Sequence, residues 1–133
     1  MALWCDDASP TTNTTASKEP TGRVIAGIRC RILPDPGAST PQKLLYISTL
    51  GVLSPFRDFG VATHLLQAVV ATAVRKHGVT AVGAHVWEAS QEAREWYKKR
   101  GFRETHREGG YYRKLQPQGA FVLRREIGVR DLL

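Results

Sequence analysis

Alternation of apolar and polar side chains predicts strands in the first half of the chain. Over residues 23–33 the apolar side chains fall at every second position, with Arg29 and Arg31 between them, which is typical of a half-buried strand. Residues 43–53 are apolar or β-branched at most positions and predict a buried central strand, antiparallel to the first. Residues 34–42 hold three prolines and predict the turn between the two.

A spacing of three to four residues replaces the alternation after residue 60. Apolar residues recur at this spacing from about Val61, and three basic residues followed by Gly78 mark the end of a helix. Residues 79–87 predict the next strand, parallel to the central one through a right-handed crossover. Ser90 is expected to cap a second helix, which ends at Gly101 and whose apolar face carries Ala93, Trp96 and Tyr97.

The remaining elements are short. Residues 102–108 and 111–115, separated by two glycines, predict a hairpin, and residues 121–127 predict a last strand. Residues 1–5 are expected to finish a strand, and residues 6–22, rich in Asp, Ser, Thr, Asn and Pro, to form a flexible loop. The order ββαβαββ predicts one α/β domain over residues 1–133 with a mixed central sheet flanked by helices.

Composition excludes several classes of protein. No apolar run approaches the roughly 20 residues that a membrane helix needs. Residues 1–5 lack the features of a signal peptide. Cys5 and Cys30 fit neither a metal-binding spacing nor a disulfide framework, so a reducing compartment, the cytoplasm, is expected.

The chain is basic, with a formal net charge of +7. From residue 46 onward fourteen Lys and Arg oppose eight Asp and Glu, so most of the excess lies there. This distribution favours a polyanionic ligand, or loose contact with RNA or another acidic partner. Because the sequence shows no recognition helix, zinc spacing or aromatic RNA-binding motif, sequence-specific binding of nucleic acid is not expected.

The junction between the central strand and the first helix is the strongest candidate for chemistry. Ser54-Pro55 breaks the strand, and Arg-x-x-Gly-x-Ala then leads into the helix. The first turn of a helix presents unpaired N–H groups and partial positive charge, and Gly60 lets an anion approach the backbone. Taken alone, this short motif favours an ordinary turn and a surface arginine over an anion site, because short motifs often match by chance.

Several motifs together resemble one family. Arg57-x-x-Gly60-x-Ala62 after a strand resembles the pyrophosphate loop of the GNAT superfamily of N-acetyltransferases. The flanking residues are similar to the catalytic subunits of NatE N-terminal acetyltransferases, over about residues 24–127. The motifs that carry this are Tyr46-Ile47-x-Thr49-Leu50-Gly51-x-Leu53-x-Pro55-Phe56-Arg57, His85-Val86, residues 96–102, residues 111–115 and Gln116-Pro117.

The resemblance implies the GNAT fold and acetyl-CoA as the cofactor, without a metal. Gly51 suits a strand bulge, as the family has. The family usually has Asn where Ser90 stands, and Tyr97 would either protonate the departing thiolate or only pack. The implied cofactor-binding residues are Leu50, Gly51, Val52, Arg57, Asp58, Phe59, Gly60, Val61, Ala62, Thr63, Ser90 and Tyr97.

The resemblance also implies which residues catalyse and bind substrate. Tyr46 and His85, on neighbouring strands, would deprotonate the amine through a water held between them; without the family, an ordinary strand aromatic and a core histidine are the favoured interpretations. Ser48 replaces a bulkier residue that faces the substrate in the family. The implied substrate-binding residues are Ser48, Tyr111, Tyr112 and Arg113.

The implied function is transfer of acetyl to the α-amine of peptides that start with Met and an apolar residue. Acetylation of lysine or small amines, and an inactive cofactor-binding scaffold subunit, remain alternatives. Peptide or protein N-termini are the implied partners, and a larger complex at the ribosome and a nuclear location stay open. The family carries a strand and two helices ahead of the strand that residues 1–5 would finish. Because these form part of its peptide site, cofactor binding is the firmer expectation.

Overall fold

The computed structural model describes residues 2–5 and 22–132. The predicted loop at residues 6–22 lies, apart from Gly22, outside the described residues. The strands are β1 (Ala2–Cys5), β2 (Ala26–Pro34), β3 (Lys43–Val52), β4 (Ala81–Trp87), β5 (Arg103–Glu108) and β6 (Ala120–Glu126). The helices are α1 (Val61–His77) and α2 (Gln91–Lys99), with 3-10 turns at Ser54–Phe56 and Val129–Leu132.

The described strands form one mixed sheet in the order β1-β2-β3-β4-β6-β5. Strands β1 and β2 are parallel, as are β3 and β4, and the other neighbours are antiparallel. The predicted α/β architecture is confirmed, including the central strand at residues 43–52 and the parallel strand that follows the first helix.

Helix α1 packs on β2 and β3 and closes the main core. The helix ends as predicted: Gly78 adopts φ +64°, and its N–H donates to the carbonyl of Val74 at 3.1 Å. Within the described residues, no helix is long and apolar enough to cross a membrane. The fully buried side chains of the core include Leu45, Leu65, Leu66, Val69 and Leu123.

The predicted hairpin is wrong in its second strand. Strand β5 pairs with β6, and residues 111–119 form the loop between them. Within this loop the Tyr112 N–H donates to Gln118 O at 2.9 Å and Leu115 N–H donates to Tyr112 O at 3.3 Å. Strand β6 buries Ala120, Leu123 and Arg125 and exposes only Glu126, whereas residues 113–118 are exposed. Strand β6 therefore offers β5 the more favourable partner.

Two smaller expectations are also corrected. The strand predicted over residues 23–33 begins at Ala26, and Val24 before it is 64% exposed. Cys30 is fully buried and takes part in a disulfide, although the sequence predicted none. Parallel pairing places positions 5 and 30 directly beside each other, which their distance along the chain concealed.

Candidate active site

The sheet opens between its two central parallel strands. Strands β3 and β4 pair from Leu44 with Ala81 to Ile47 with Ala84, and both strands then continue beyond this ladder. The register of β3 against β2 shifts between Thr49 and Ile47, so Ser48 is the bulged residue. Gly51 was expected at the bulge, but it pairs regularly with Gly27. The bulge at Ser48 lies where β3 and β4 begin to separate.

The opening leads into a cleft of about 500 Å³ at the N-terminus of α1. Of the predicted cofactor residues, Phe59 alone does not line the cleft; it is 78% exposed. Helix α2 and its C-cap complete one wall with residues 92, 93, 96 and 100. Phe56 from the 3-10 turn also lines the cleft. The predicted residues in the lining are Leu50, Gly51, Val52, Arg57, Asp58, Gly60, Val61, Ala62, Thr63, Ser90 and Tyr97.

The first turn of α1 is open to an anion. Gly60 caps the helix at φ +80°, a conformation that only glycine adopts readily, and no side chain provides a cap. The first turn contains no acidic residue. The partial positive charge of the helix N-terminus therefore faces the cleft without a carboxylate from that turn. Arg57 donates from Nε to the Val52 carbonyl at 3.0 Å, which holds the loop against β3.

Arg100 is a cleft residue that the sequence did not identify. Its Nε and Nη2 atoms donate to Thr63 Oγ1 at 2.9 and 2.7 Å, and its guanidinium lies 4.0 Å from the centre of the Trp96 ring. Burial lowers the pKa of Arg100 from its ordinary value, yet guanidinium stays protonated at neutral pH. A second cation therefore stands beside the first turn of α1. Since Thr63 Oγ1 accepts from Arg100, its own O–H can donate to a ligand.

Tyr97 and Ser90 line the far side of the cleft. Tyr97 is buried, and that burial raises the pKa of its phenol to about 12. Its O–H therefore stays protonated at neutral pH and is a potential proton donor. Ser90 occupies the N-cap position of α2 as predicted, but its side chain makes no capping hydrogen bond.

Tyr46 and His85 meet at the mouth of the opening. Tyr46 lies opposite Gly83, and His85 follows two residues later, so both side chains point to the same face of the sheet. Tyr46 Oη lies 2.8 Å from His85 Nδ1. The two atoms are thus in direct contact, whereas the sequence predicted a water between them; a water would lie beside the pair. Burial raises the pKa of Tyr46 above its ordinary value, so the phenol is neutral.

The loop after β5 covers this pair. The Tyr111 ring stacks on His85 with centroids 4.1 Å apart and an angle of 7°, and its hydroxyl lies 3.2 Å from that of Tyr46. Tyr112 packs edge-on against Tyr111 at 4.9 Å. The structure thus brings both predicted tyrosines to the pair. Arg113, by contrast, is exposed, and its carbonyl accepts from Gln118 Nε2 at 3.1 Å.

Glu108 is the second residue that sequence reasoning missed. Its Oε1 lies 3.0 Å from His85 Nε2, and its Oε2 lies 3.3 Å from His106 Nε2. The hydrogen bond from His85, reinforced by that from His106, lowers the pKa of the Glu108 carboxyl. No motif marks Glu108. Glu108 could have been identified only from the alignment of three strands. The pairing of β5 with β6, and of β6 with β4, aligns Glu108 with Ala120 and Trp87.

Comparison with known proteins identifies the family. A family profile described as the acetyltransferase (GNAT) family matches residues 1–102. The chain belongs to the GNAT family. It is 32% identical over 104 residues to the probable N-acetyltransferase san of Drosophila melanogaster, and 30% identical over 103 residues to N-alpha-acetyltransferase 50 of Danio rerio. These alignments cover 78% and 77% of this chain but only 54% and 59% of the two relatives.

A solved structure agrees with this GNAT assignment. Arabidopsis thaliana Naa50 in complex with the bisubstrate analogue CoA-Ac-MVNAL superposes with a TM-score of 0.66 at 28% identity. The match covers 77% of this chain and 66% of that one.

The residues of this GNAT chain fit a coenzyme A ligand. Gly60 leaves open space where a Cβ would stand, which lets a phosphate approach the helix N-terminus. Arg57 and Arg100 line the same cleft and supply positive charge. Across residues 2–5 and 22–132, no group of three or more His, Cys, Asp or Glu is arranged to hold a metal ion.

Proposed function

We propose that this chain is an acetyl-CoA-dependent N-acetyltransferase that acts on the α-amine of peptide N-termini. The observation that carries the proposal is the Tyr46–His85 contact of 2.8 Å. This contact lies where β3 and β4 separate, next to the cleft at the N-terminus of α1. A proton acceptor and a cofactor cleft thus adjoin one gap in the sheet. The Drosophila and zebrafish relatives, both named as N-acetyltransferases, support the same reaction.

The cleft would hold the cofactor along the separated strands. The first turn of α1, with Arg57 and Arg100, would bind its phosphates, and the exposed edge of β3 at residues 50–52 would accompany the pantetheine arm. When bound, acetyl-CoA supplies the acetyl group as a thioester. Burial raises the pKa of Tyr97 to about 12, so its phenol would stay protonated and donate a hydrogen bond to the sulfur that leaves.

The acceptor amine needs only a modest base, because an α-amino group has a pKa near ~8. Tyr46 is neutral and donates its O–H to His85, so the base is His85 rather than a phenolate. A water beside the pair would pass the proton from the amine to the Tyr46 oxygen as Tyr46 passes its own O–H proton to His85. The amine nitrogen would then bond to the acetyl carbon as the carbon–sulfur bond breaks, and the thiolate would leave with a hydrogen bond from Tyr97 and take its proton from water.

A starting Met followed by an apolar residue is the proposed substrate preference. Plant Naa50 is bound to an analogue that carries Met-Val at its start. In this chain Tyr111 and Tyr112 present aromatic surface beside the catalytic pair, which suits an apolar first side chain. Ser48 is exposed at the bulge and leaves room there.

Steady-state kinetics on Met-Leu, Ser-Glu and internal-lysine peptides tests this function. Tyr46→Phe and His85→Ala should each lower kcat about 10²-fold, the size of a general-base contribution. Their affinity for acetyl-CoA should be unchanged, because neither residue lines the cleft. His64→Ala, an exposed histidine on α1, is the matched control and should keep full activity.

Two results would contradict the proposal. Wild-type turnover by both Tyr46→Phe and His85→Ala would exclude the pair as the base. Faster turnover of the lysine peptide than of Met-Leu would move the acceptor from α-amines to ε-amines.

A further inference from the structure

Glu108 reaches the catalytic pair from the edge strand of the sheet. It lies opposite Ala120, which in turn lies opposite Trp87, so the small side chain of Ala120 separates Glu108 from β4. The Glu108 carboxylate extends from β5 toward His85, and its Oε1 lies 3.0 Å from Nε2. His106, two residues earlier on the same strand, contacts the other carboxylate oxygen at 3.3 Å. Both oxygens of Glu108 are thus held.

These contacts determine which atom donates in the hydrogen bonds that link Glu108, His85 and Tyr46. An ionised carboxylate can only accept, so Nε2 of His85 must carry a proton. In a neutral imidazole Nδ1 is then the bare nitrogen, and it accepts the Tyr46 O–H at 2.8 Å. The Tyr46 oxygen keeps its lone pairs for a water or for the hydroxyl of Tyr111, which lies 3.2 Å away.

We propose that Glu108 is a positioning residue, which holds His85 in the Nε2–H tautomer so that Nδ1 is the nitrogen that receives the proton. This role rests on the proposed function, in which His85 is the base. The proton removed from the amine ends on Nδ1, and the imidazolium then lies between the Tyr46 oxygen and the Glu108 carboxylate. Glu108 itself gains no proton; its negative charge stabilises the imidazolium, as in other carboxylate–histidine pairs.

The ring orientation of His85 supports a positioning role. Tyr111 stacks on one face of the imidazole at 4.1 Å and 7°, which restricts tilting of the ring. A stacked ring can still flip by half a turn about the Cβ–Cγ bond. Such a flip would place ring carbons at Tyr46 and at Glu108 and break both hydrogen bonds, so the two contacts hold one orientation, and the acceptor-only Glu108 then decides the tautomer.

Nitrogen NMR of the full chain reads the tautomer without any substrate. Long-range proton–nitrogen correlations of ¹⁵N-histidine-labelled protein at pH 8 distinguish a protonated from a bare ring nitrogen, and His85→Gln assigns the signals. The wild-type chain should show His85 with a proton on Nε2 and a bare Nδ1. In Glu108→Gln the side chain keeps its shape, but its amide can donate a hydrogen bond to His85. The signals should then show either a proton on Nδ1 or an upfield shift of the Nε2 proton.

Kinetics with a matched control provides the second measurement. Glu108→Gln should lower kcat about tenfold or more and leave the Kd for coenzyme A unchanged, because Glu108 does not line the cleft. Glu95→Gln, an exposed glutamate whose carboxylate accepts only from Gln91 among the described residues, should match the wild type in both. Equal thermal midpoints of the two variants would show that the loss of kcat is not a loss of folding.

Each outcome decides for or against the assignment. A wild-type His85 in any other protonation state, or identical His85 signals in wild type and Glu108→Gln, would overturn it. So would an unchanged kcat in Glu108→Gln. If the wild-type chain acetylates none of the three peptides, the proposed function fails, and the NMR signature alone decides whether Glu108 sets the tautomer.

Discussion

Replacement of Gly60 by Glu is the sharpest test of the cofactor cleft. Gly60 caps α1 at φ +80°, and no atom lies within 4 Å of where its Cβ would stand. A side chain there meets no steric obstacle, but the left-handed backbone costs about 1–2 kcal/mol of stability for a residue with a Cβ. The new carboxylate would stand at the helix N-terminus, where the phosphates of the cofactor are expected.

The size of the effect follows from Coulomb's law. Two unit charges 4 Å apart repel by about 1 kcal/mol in water and by about 4 kcal/mol at the effective dielectric of a protein surface. Because Gly60 is exposed, the lower half of that range applies, about 1–2 kcal/mol. The glutamate can also accept from the free N–H groups of the first turn and so occupy the site itself. We expect the Kd for coenzyme A to rise about tenfold or more.

Gly78→Glu is the matched control, because Gly78 caps the other end of the same helix. It too has a positive φ, +64°, and open space around its Cβ. Both variants therefore carry similar backbone strain and the same added charge. Calorimetric titration with coenzyme A should show weak binding for Gly60→Glu and wild-type binding for Gly78→Glu, with the difference shrinking as salt is raised. Equal Kd values for the two variants would refute the assignment of the loop.

Two further predictions concern half-buried arginines and their partners. Arg100→Met keeps much of the stacking on Trp96 but removes the cation beside Thr63, so the Kd for coenzyme A in calorimetry should rise a few-fold; an unchanged Kd would exclude Arg100 from the phosphate site. Asp35→Asn removes the carboxylate that pairs with half-buried Arg124, which keeps Glu126 as a partner, and should cost about 2 kcal/mol in urea unfolding at pH 7. Arg124 holds the pKa of Asp35 below its usual range, so this difference should persist above about pH 4 and vanish as pH falls through the lowered pKa; equal urea midpoints at pH 7 would contradict it.

Local signals explain what the sequence predicted well. The apolar run of β3, the spacing in α1 and the glycine at each end of that helix are all contiguous features. The cleft residues from Leu50 to Thr63 belong to one strand–loop–helix segment, so predicting the segment also predicted the cleft. Tyr46 and His85 could be paired from sequence because two strands joined by a crossover helix are expected to lie parallel and side by side.

What the sequence did not reveal depends on how distant strands are aligned. The partner of β5 is decided by competition between residues 111–115 and residues 120–126, and the better-buried segment forms the ladder. Glu108 reaches His85 only because β6 intervenes with Ala120 at the crossing point. Arg100 enters the cleft because α2 ends beside Thr63, 37 positions earlier in the chain. None of these contacts leaves a local pattern.

The two halves of the site therefore depend on different parts of the fold. The cofactor cleft is built mainly from one continuous segment whose helix packs on the core, so its geometry follows from the most stable part of the sheet. The proposed proton path runs through contacts between Tyr46 on β3 and His85 on β4, with Glu108 on edge strand β5 and Tyr111 in an exposed loop beside them. Edge strands and loops open more readily than central strands. Local opening of β5 and its loop would interrupt the proposed proton transfer while the cleft still binds its ligand, so we expect changes far from either site to affect turnover more than cofactor affinity.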